Sequence, residues 1–156
     1  LTLADSNAIL VYLALRHAPG TWLPADPLGA AEVQRWFSVA AGTLAFGAAS
    51  ARVIALFGRP DDPQPARQRA LAMLAVMEQQ LNRRDWLAAA RVTLADVAMY
   101  SYVATAPEGG VSLAPFPAVR AWLGRMEALP GFLPMPRSVT PALADAQAAV
   151  PAGAGA

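Results

Sequence analysis

The stretch ADSNAILVYLAL, residues 4–15, decides which fold class the chain can adopt. Residues 8–15 are eight consecutive apolar residues, and the polar residues Asp5, Ser6 and Asn7 precede them. Periodicity alone does not separate a buried strand from a buried helix in such a run. Ser6 and Asn7 are good N-cap residues, and the Ala and Leu residues that follow are strong helix formers. We therefore predict a helix, which must be covered on two sides because it has no polar face.

The residues after this run predict a helix end, a connector and two further helices. Arg16 and His17 suit a last helical turn, and Pro19-Gly20 suits its end. The connector PGTWLPADPLG, residues 19–29, is the best candidate for a domain boundary. A long helix is expected over residues 30–57, where Gly42 and Gly47 allow close packing or a slight bend. Another is expected over residues 66–83, with one apolar stripe formed by Ala70, Leu74, Met77 and Leu81.

The stretch VTLADVAMYSYVATA, residues 92–106, predicts a further helix with a capping box. Thr93 is a natural N-cap, and Asp96 stands where a capping-box acid reaches back to the Thr93 amide. The stretch PEGGVSLAPF is expected to be a loop, and Pro117 suits the first turn of a last helix. No stretch is a convincing strand. The predicted fold class is therefore all-helical.

Composition excludes several kinds of function. The 156 residues include 56% hydrophobic and 15% charged residues, with a net charge of +1. No long block of like charge indicates a nucleic-acid or membrane partner. The chain has no Cys and only one His, His17, so neither thiolate catalysis nor a metal site is expected from it. Residues 36–51 are the most membrane-like part, but they are rich in small residues and favour a closely packed buried helix.

Only a few residues could carry chemistry. Asp5 and Ser6 at a helix start could bind an amine and a carboxylate on one ligand, although a plain helix cap is the commoner role. Thr93 and Asp96 match a structural cap, and Asp61-Asp62 lies in a Pro-rich loop. No positioned partner is evident for Tyr12, Tyr100 or Tyr102. These residues alone do not assemble a catalytic set.

Four stretches together resemble the glutathione transferase family, particularly its bacterial members. In family order they are LADSNAILVYLA, WLPADPLGAAEVQRW, WLAAARVTLADVAMYSYVA and PFPAVRAWLGRMEALPGF. The family joins a thioredoxin-like α/β domain to an all-helical domain. The resemblance implies that residues 1–17 are the strand end and final helix of the first domain and that upstream sequence is missing. Residues 18–28 would be the linker, residues 29–138 the helical domain, and residues 139–156 an Ala/Pro/Gly-rich tail.

The resemblance also implies a glutathione site at the start of the chain. Asp5 would contact the amino group of the tripeptide, and Ser6 would bind its carboxylate. The long helix would contribute Ser38 to the glutathione site, while Gly42, Ala45 and Phe46 would lie in the acceptor pocket. Thr93 and Asp96 would form the structural cap of the family. The residue that activates the glutathione thiol is not found in this chain, since it lies on a segment that the resemblance places upstream.

The expected function follows from the same resemblance. The parent protein would conjugate the glutathione thiolate to hydrophobic electrophiles, as a cytoplasmic homodimer with glutathione as co-substrate and without a metal, nucleic-acid or membrane partner. Two alternatives remain open at this point. One is a non-catalytic, transferase-like helical module for interaction, and the other is a glutathione-dependent peroxidase or disulfide reductase.

Overall fold

A computed structural model describes residues 2–141, and this part of the chain contains helices and no strand. The prediction of an all-helical fold is confirmed. The α-helices in residues 2–141 are α1 Ser6–His17, α2 Pro27–Val39, α3 Ser50–Phe57, α4 Gln64–Leu81, α5 Leu94–Ala104 and α6 Pro117–Glu127. A π-helical segment, Ala40–Ala49, joins α2 to α3, and a 3-10 turn, Ala106–Gly109, follows α5. Most of the predicted tail, residues 142–156, lies outside the described residues.

The N-cap of α1 lies one residue before Ser6, the first of the predicted caps. Asp5 is the N-cap, and its Oδ1 accepts a hydrogen bond from the Ala8 N–H at 3.0 Å. The expectation that Ser6 or Asn7 caps the helix was therefore wrong, because both residues lie inside the helix and the Asp5 carboxylate accepts from the third following amide. Arg16 and His17 lie in the last turn, as predicted.

Helix α1 is covered on one side only. Within α1 only Ala14 is buried, whereas Ile9, Tyr12, Leu13 and Leu15 are 39%, 41%, 46% and 57% exposed. Asn7 ties the start of α1 to α2 through a hydrogen bond from its Nδ2 to the Phe37 carbonyl at 3.3 Å. A helix without a polar face thus keeps an open apolar side in this structure.

The long helix runs without a break from Pro27 to Phe57, three residues longer at its start than predicted. Asp26 caps it by accepting from the Gly29 N–H at 2.7 Å, with Pro27 in the first turn. Gly47 allows the predicted close approach, since an added Cβ would lie 3.0 Å from the Ala70 nitrogen of α4, whereas Gly42 has open space. An 18-residue window of this 31-residue stretch has a mean hydropathy of 1.6, so the helix is long and apolar enough to cross a membrane, a property that core helices share.

Helices α4 and α6 pack through the stripes that the sequence predicts. Ala70, Leu74, Met77 and Leu81 are buried in α4, and α6 buries Val119, Trp122, Leu123 and Met126. The start of α6 is capped from a distance, because both carboxylate oxygens of Glu78 accept 3.0 Å bonds from the Ala118 and Val119 amides. This long-range cap fixes α6 against α4 and satisfies two of its first amides.

The start of α5 is the polar centre of the core. Thr93 and Asp96 form a capping box, and both are fully buried. Asp96 Oδ2 accepts from the Thr93 amide at 2.9 Å and the Thr93 hydroxyl at 3.1 Å. Its Oδ1 accepts from the Leu87 amide and from Trp122 Nε1, both at 2.9 Å. One carboxylate therefore joins α5, the preceding loop and α6.

The connector after α1 is fixed to the same end of α5. The Arg91 guanidinium donates to the Gly20 carbonyl at 2.7 Å and also to the Thr21 carbonyl. The Leu94 amide donates to the Trp22 carbonyl at 2.9 Å. These bonds set the position of α1 on the helical bundle.

Candidate functional site

A groove of about 600 Å³ lies between the start of α1 and α2. We call it the α1–α2 groove and define it by Asp5, Asn7, Val11, Phe37, Ser38 and Ala41, which line it. The groove brings Asp5 and Ser38, which are 33 positions apart in the sequence, to one surface. These are two of the three residues predicted to bind glutathione.

Asp5 has an unusual backbone at this site. Its φ of 74° and ψ of 125° lie outside the regions favoured by L residues, and it is the one non-glycine residue with positive φ in residues 2–141. Such strain costs about 1–3 kcal/mol and is concentrated at functional sites. Here it turns the chain so that the carboxylate caps α1 at Ala8 while the residue stays exposed.

The start of α1 offers donors beside this carboxylate. The amides of Ser6 and Asn7 are the first two of the helix, so they have no acceptor within it. Ser38 is exposed on α2, and its hydroxyl donates to the Gln34 carbonyl at 3.2 Å while its lone pairs stay free to accept. A carboxylate, open amides and a hydroxyl together suit a ligand that carries both an ammonium and a carboxylate.

Ser6 does not line the same groove as Asp5. It lines a second groove of about 530 Å³, which we call the α1–α5 groove and define by Ser6, Leu10, Arg52, Val97, Ser101 and Tyr102. Asn7 lines both grooves and separates the two side chains. Asp5 and Ser38 therefore share a surface, whereas Ser6 lines the neighbouring groove.

The three residues predicted for the acceptor pocket lie in the π-helical segment. Gly42 and Ala45 are partly exposed, and Phe46 is 63% exposed. None of the three lines the α1–α2 or the α1–α5 groove. The Phe46 carbonyl accepts a 2.8 Å hydrogen bond from Arg69 Nη1 of α4, which holds this part of the segment in place. π-Helical turns are frequent at functional sites.

An ion pair at the end of the α1–α5 groove was not foreseen. Arg52 Nε lies 2.7 Å from Glu108 Oε2, and the Glu108 side chain is only 1% exposed. The stretch that contains Glu108 was expected to be a loop, but residues Ala106–Gly109 form a buried 3-10 turn. Gly109 permits this, since an added Cβ would lie 2.7 Å from the Arg52 nitrogen. This ion pair was not predicted from the sequence because its two residues are 56 positions apart, and sequence patterns over a few helical turns do not reveal such a contact.

A second unforeseen pair is formed by Tyr100 and Glu127. The Tyr100 hydroxyl donates to Glu127 Oε1 at 2.9 Å beside a cavity of about 280 Å³ that Arg137 also lines. Burial, and then the hydrogen bond and negative charge of Glu127, raise the pKa of Tyr100 to about 12. Tyr100 thus has a hydrogen-bond partner that the sequence did not reveal. Glu127 stabilises the protonated phenol, so it does not activate Tyr100 as a base.

In residues 2–141, no group of three or more His, Asp or Glu side chains is arranged to hold a metal ion. The donors of the two grooves are instead hydroxyls, amides and single charged groups. Such groups can form hydrogen bonds with a polar organic ligand.

Residues 41–130 match the family model of the glutathione S-transferase C-terminal domain. Among solved structures, a glutathione S-transferase from Pseudomonas fluorescens is 33% identical, with a TM-score of 0.77 over 85% of this chain and 67% of that one. A glutathione S-transferase from Xanthobacter autotrophicus is also 33% identical, with a TM-score of 0.77 over 92% of this chain and 68% of that one.

A third structure was solved with its ligand. This glutathione transferase family member from Pseudomonas fluorescens, with two glutathione molecules bound, is 27% identical, with a TM-score of 0.74. The match covers 83% of this chain and 61% of that one. The chain thus spans about two thirds of the length of the solved structures described here.

Proposed function

Since the chain belongs to the glutathione S-transferase family, we propose that it is part of a transferase that joins glutathione to hydrophobic electrophiles. Glutathione would supply a thiolate whose sulfur bonds to the electrophilic carbon while the leaving group departs with its electron pair. The observation that carries the proposal is the α1–α2 groove, where Asp5 and Ser38 flank the open amides of α1.

The groove residues would hold the γ-glutamyl end of the tripeptide. This end carries one ammonium and one carboxylate, which match the Asp5 carboxylate and the amides of Ser6 and Asn7. The positive end of the α1 dipole adds to the attraction for the carboxylate. Ser38 would accept or donate a further hydrogen bond from α2. The relative with two bound glutathione molecules supports this choice of ligand.

The proposed domain organisation accounts for the open side of α1. Residues 1–17 would belong to a thioredoxin-like domain whose sheet covers Ile9, Tyr12, Leu13 and Leu15, which are exposed here. Residues 18–28 would be the linker and residues 29–138 the helical domain. We assign no catalytic residue to this chain and place the group that activates the thiol, a Ser, Cys or Tyr, in the thioredoxin-like domain.

We further propose that the protein is a cytoplasmic homodimer. Leu71 at 41% and Val76 at 56% are exposed apolar residues of α4, which a second copy would cover. Sedimentation analysis of this chain should show self-association. A monomer over a wide concentration range would contradict the proposal.

The glutathione site can be tested by titrating S-methylglutathione into ¹⁵N-labelled protein. Binding on the order of millimolar is expected, since one end of the ligand supplies most of the contacts. The Ser6 and Asn7 amides should shift most. D5N should weaken binding about 10-fold, because a charge-assisted hydrogen bond becomes a neutral one while the helix cap is kept.

The matched control for this test is D26N, which makes the same change at the cap of α2, away from the groove. It should leave the affinity unchanged. Equal affinities of D5N and the unmodified chain, or shifts that avoid the start of α1, would overturn the assignment. Turnover of 1-chloro-2,4-dinitrobenzene by this chain alone would contradict the absence of a catalytic residue.

A further inference from the structure

The cavity of about 280 Å³ beside Tyr100 lies between α5, the end of α6 and the segment that follows α6. We call it the α5–α6 cavity and define it by six residues that line it, namely Tyr100, Ala104, Glu127, Phe132, Met135 and Arg137. It shares no residue with the α1–α2 groove, and neither the exposed apolar residues of α1 nor the predicted acceptor residues line it. Its chemistry therefore has to be explained by its own side chains.

Glu127 brings a carboxylate to this cavity in a fixed position. The Tyr100 hydroxyl donates to Glu127 Oε1 at 2.9 Å. Tyr100 is only 6% exposed, and its ring packs edge-on against Phe132 with the ring centroids 5.1 Å apart. A buried phenol thus orients an acid that is itself exposed. Glu127 Oε2 accepts no hydrogen bond from residues 2–141, so it is available to a ligand.

Arg137 brings a guanidinium to the same cavity. Its Nη1 donates to the Ala104 carbonyl at 3.0 Å, while its Nε and Nη2 make no hydrogen bond within the described part of the chain. Ala104 follows Tyr100 by four positions on α5, so both charged groups are anchored on one face of that helix. Burial and Glu127 raise the pKa of Tyr100 and the positive charge of Arg137 lowers it, so the guanidinium lies within electrostatic range of the phenol.

The two opposite charges line one cavity without pairing with each other. Neither Glu127 nor Arg137 belongs to any ion pair formed among residues 2–141. A ligand that carries an ammonium and a carboxylate would satisfy both, with N–H donors facing Glu127 and oxygens facing Arg137. A ligand with a single charge would satisfy only one of them. The cavity therefore favours a zwitterion.

The size and the remaining lining of the cavity narrow the class of zwitterion. Pockets for drug-sized ligands have volumes of about 300–1,000 Å³, and this cavity is slightly smaller. It fits one amino acid better than a tripeptide. Phe132, Pro134 and Met135 supply apolar surface for a side chain.

We propose that the α5–α6 cavity binds a free amino acid with an apolar side chain, with the ammonium on Glu127 and the carboxylate on Arg137. The apolar side chain of the ligand lies against Phe132 and Met135. Such a ligand joins α5, the end of α6 and the segment after α6 through one molecule. This inference does not depend on the proposed transferase function.

Three matched ligands test this preference by titration into ¹⁵N-labelled protein. L-Leucine, 4-methylpentanoate and 3-methylbutylamine share one branched apolar body, but the second lacks the ammonium and the third lacks the carboxylate. Leucine should bind with a Kd on the order of 1 mM, and each analogue about 10-fold more weakly, because each loses one charge-assisted contact. The amides of Tyr100, Ala104 and Phe132 should shift, whereas those of Ser6 and Asn7 should not.

Two variants separate the two charges. E127Q keeps an acceptor for the Tyr100 hydroxyl but removes the negative charge, so the preference for leucine over 4-methylpentanoate should fall to about 1. Its preference over 3-methylbutylamine should remain. R137Q should give the opposite result. The control R120Q removes an exposed arginine of α6 outside the cavity and should keep both preferences.

Thermal unfolding profiles check that the variants fold, and each variant tests its own charge if the other unfolds. Equal binding of the three ligands, preferences that survive in folded E127Q and R137Q, or leucine shifts confined to the start of α1 would overturn the inference. Failure of S-methylglutathione to bind, with the leucine preferences intact, would remove the transferase assignment and leave an amino-acid site. Binding of S-methylglutathione without any leucine preference would do the reverse.

Discussion

Two helix starts in this molecule use the same residue types and end in opposite states. At α1, Asp5 and Ser6 are exposed, and the first amides of the helix are open. At α5, Thr93 and Asp96 are fully buried, and the Asp96 carboxylate accepts hydrogen bonds from Leu87, Thr93 and Trp122. An acid and a hydroxyl at a helix start thus serve stability where the core satisfies them, and are available to a ligand where it does not.

The largest difference should appear when each acid is replaced by alanine. D96A leaves buried donors of Leu87, Thr93 and Trp122 without their acceptor and should lower the free energy of unfolding by about 3 kcal/mol. D5A removes one exposed cap and should cost about 0.5–1 kcal/mol. Urea denaturation followed by tryptophan fluorescence measures both. Equal losses would mean that burial does not separate the two sites.

The hydroxyls should show a smaller contrast in the same direction. T93A removes the N-cap side chain of α5 and should lower stability by about 1 kcal/mol. S6A should leave stability unchanged, because the Ser6 side chain makes no cap hydrogen bond in α1. The same urea experiment measures this contrast. A loss of stability in S6A that matches T93A would show that Ser6 has a structural role.

The Tyr100–Glu127 pair is intermediate, since it joins a buried hydroxyl to an exposed acid, and its contribution to stability should change only at alkaline pH. The pKa of Tyr100 is raised from 10.0 to about 12. The folded state therefore holds this proton more tightly than the unfolded state, so the stabilisation is complete below about pH 10 and is lost as the pH rises towards 12. Absorbance at 295 nm should show one tyrosinate forming near pH 12 that is missing in Y100F. E127Q should move it to lower pH.

The local features of this fold could be predicted from the sequence. The helical state of α1, the start of α6 at Pro117 and the stripe of α4 follow from residues within one or two turns of each other. The family resemblance added what local physics could not, namely a reason for a helix with no polar face. It also pointed to Asp5 and Ser38, which the fold then brought to one groove.

The features that escaped prediction depend on contacts between distant residues. Glu78 caps α6 from 40 positions away, and Arg52 pairs with Glu108 across 56. The π-helical segment has a sequence of small and apolar residues that equally suits an α-helix. Its change of register coincides with contacts from α4, where Gly47 packs on Ala70 and Arg69 binds the Phe46 carbonyl. Neither kind of contact leaves a local pattern in the sequence.

The hydrogen bonds from Arg91 to the connector restrict the movement of α1 relative to α5. A Pro/Gly-rich segment usually acts as a hinge, but Arg91 and the Leu94 amide hold its carbonyls at Gly20, Thr21 and Trp22. Because of these hydrogen bonds, α1 should move together with the start of α5, and the connector between them should bend little. A ligand that displaces α1 will therefore also displace the start of α5, and the helix will move only as far as the bundle moves with it.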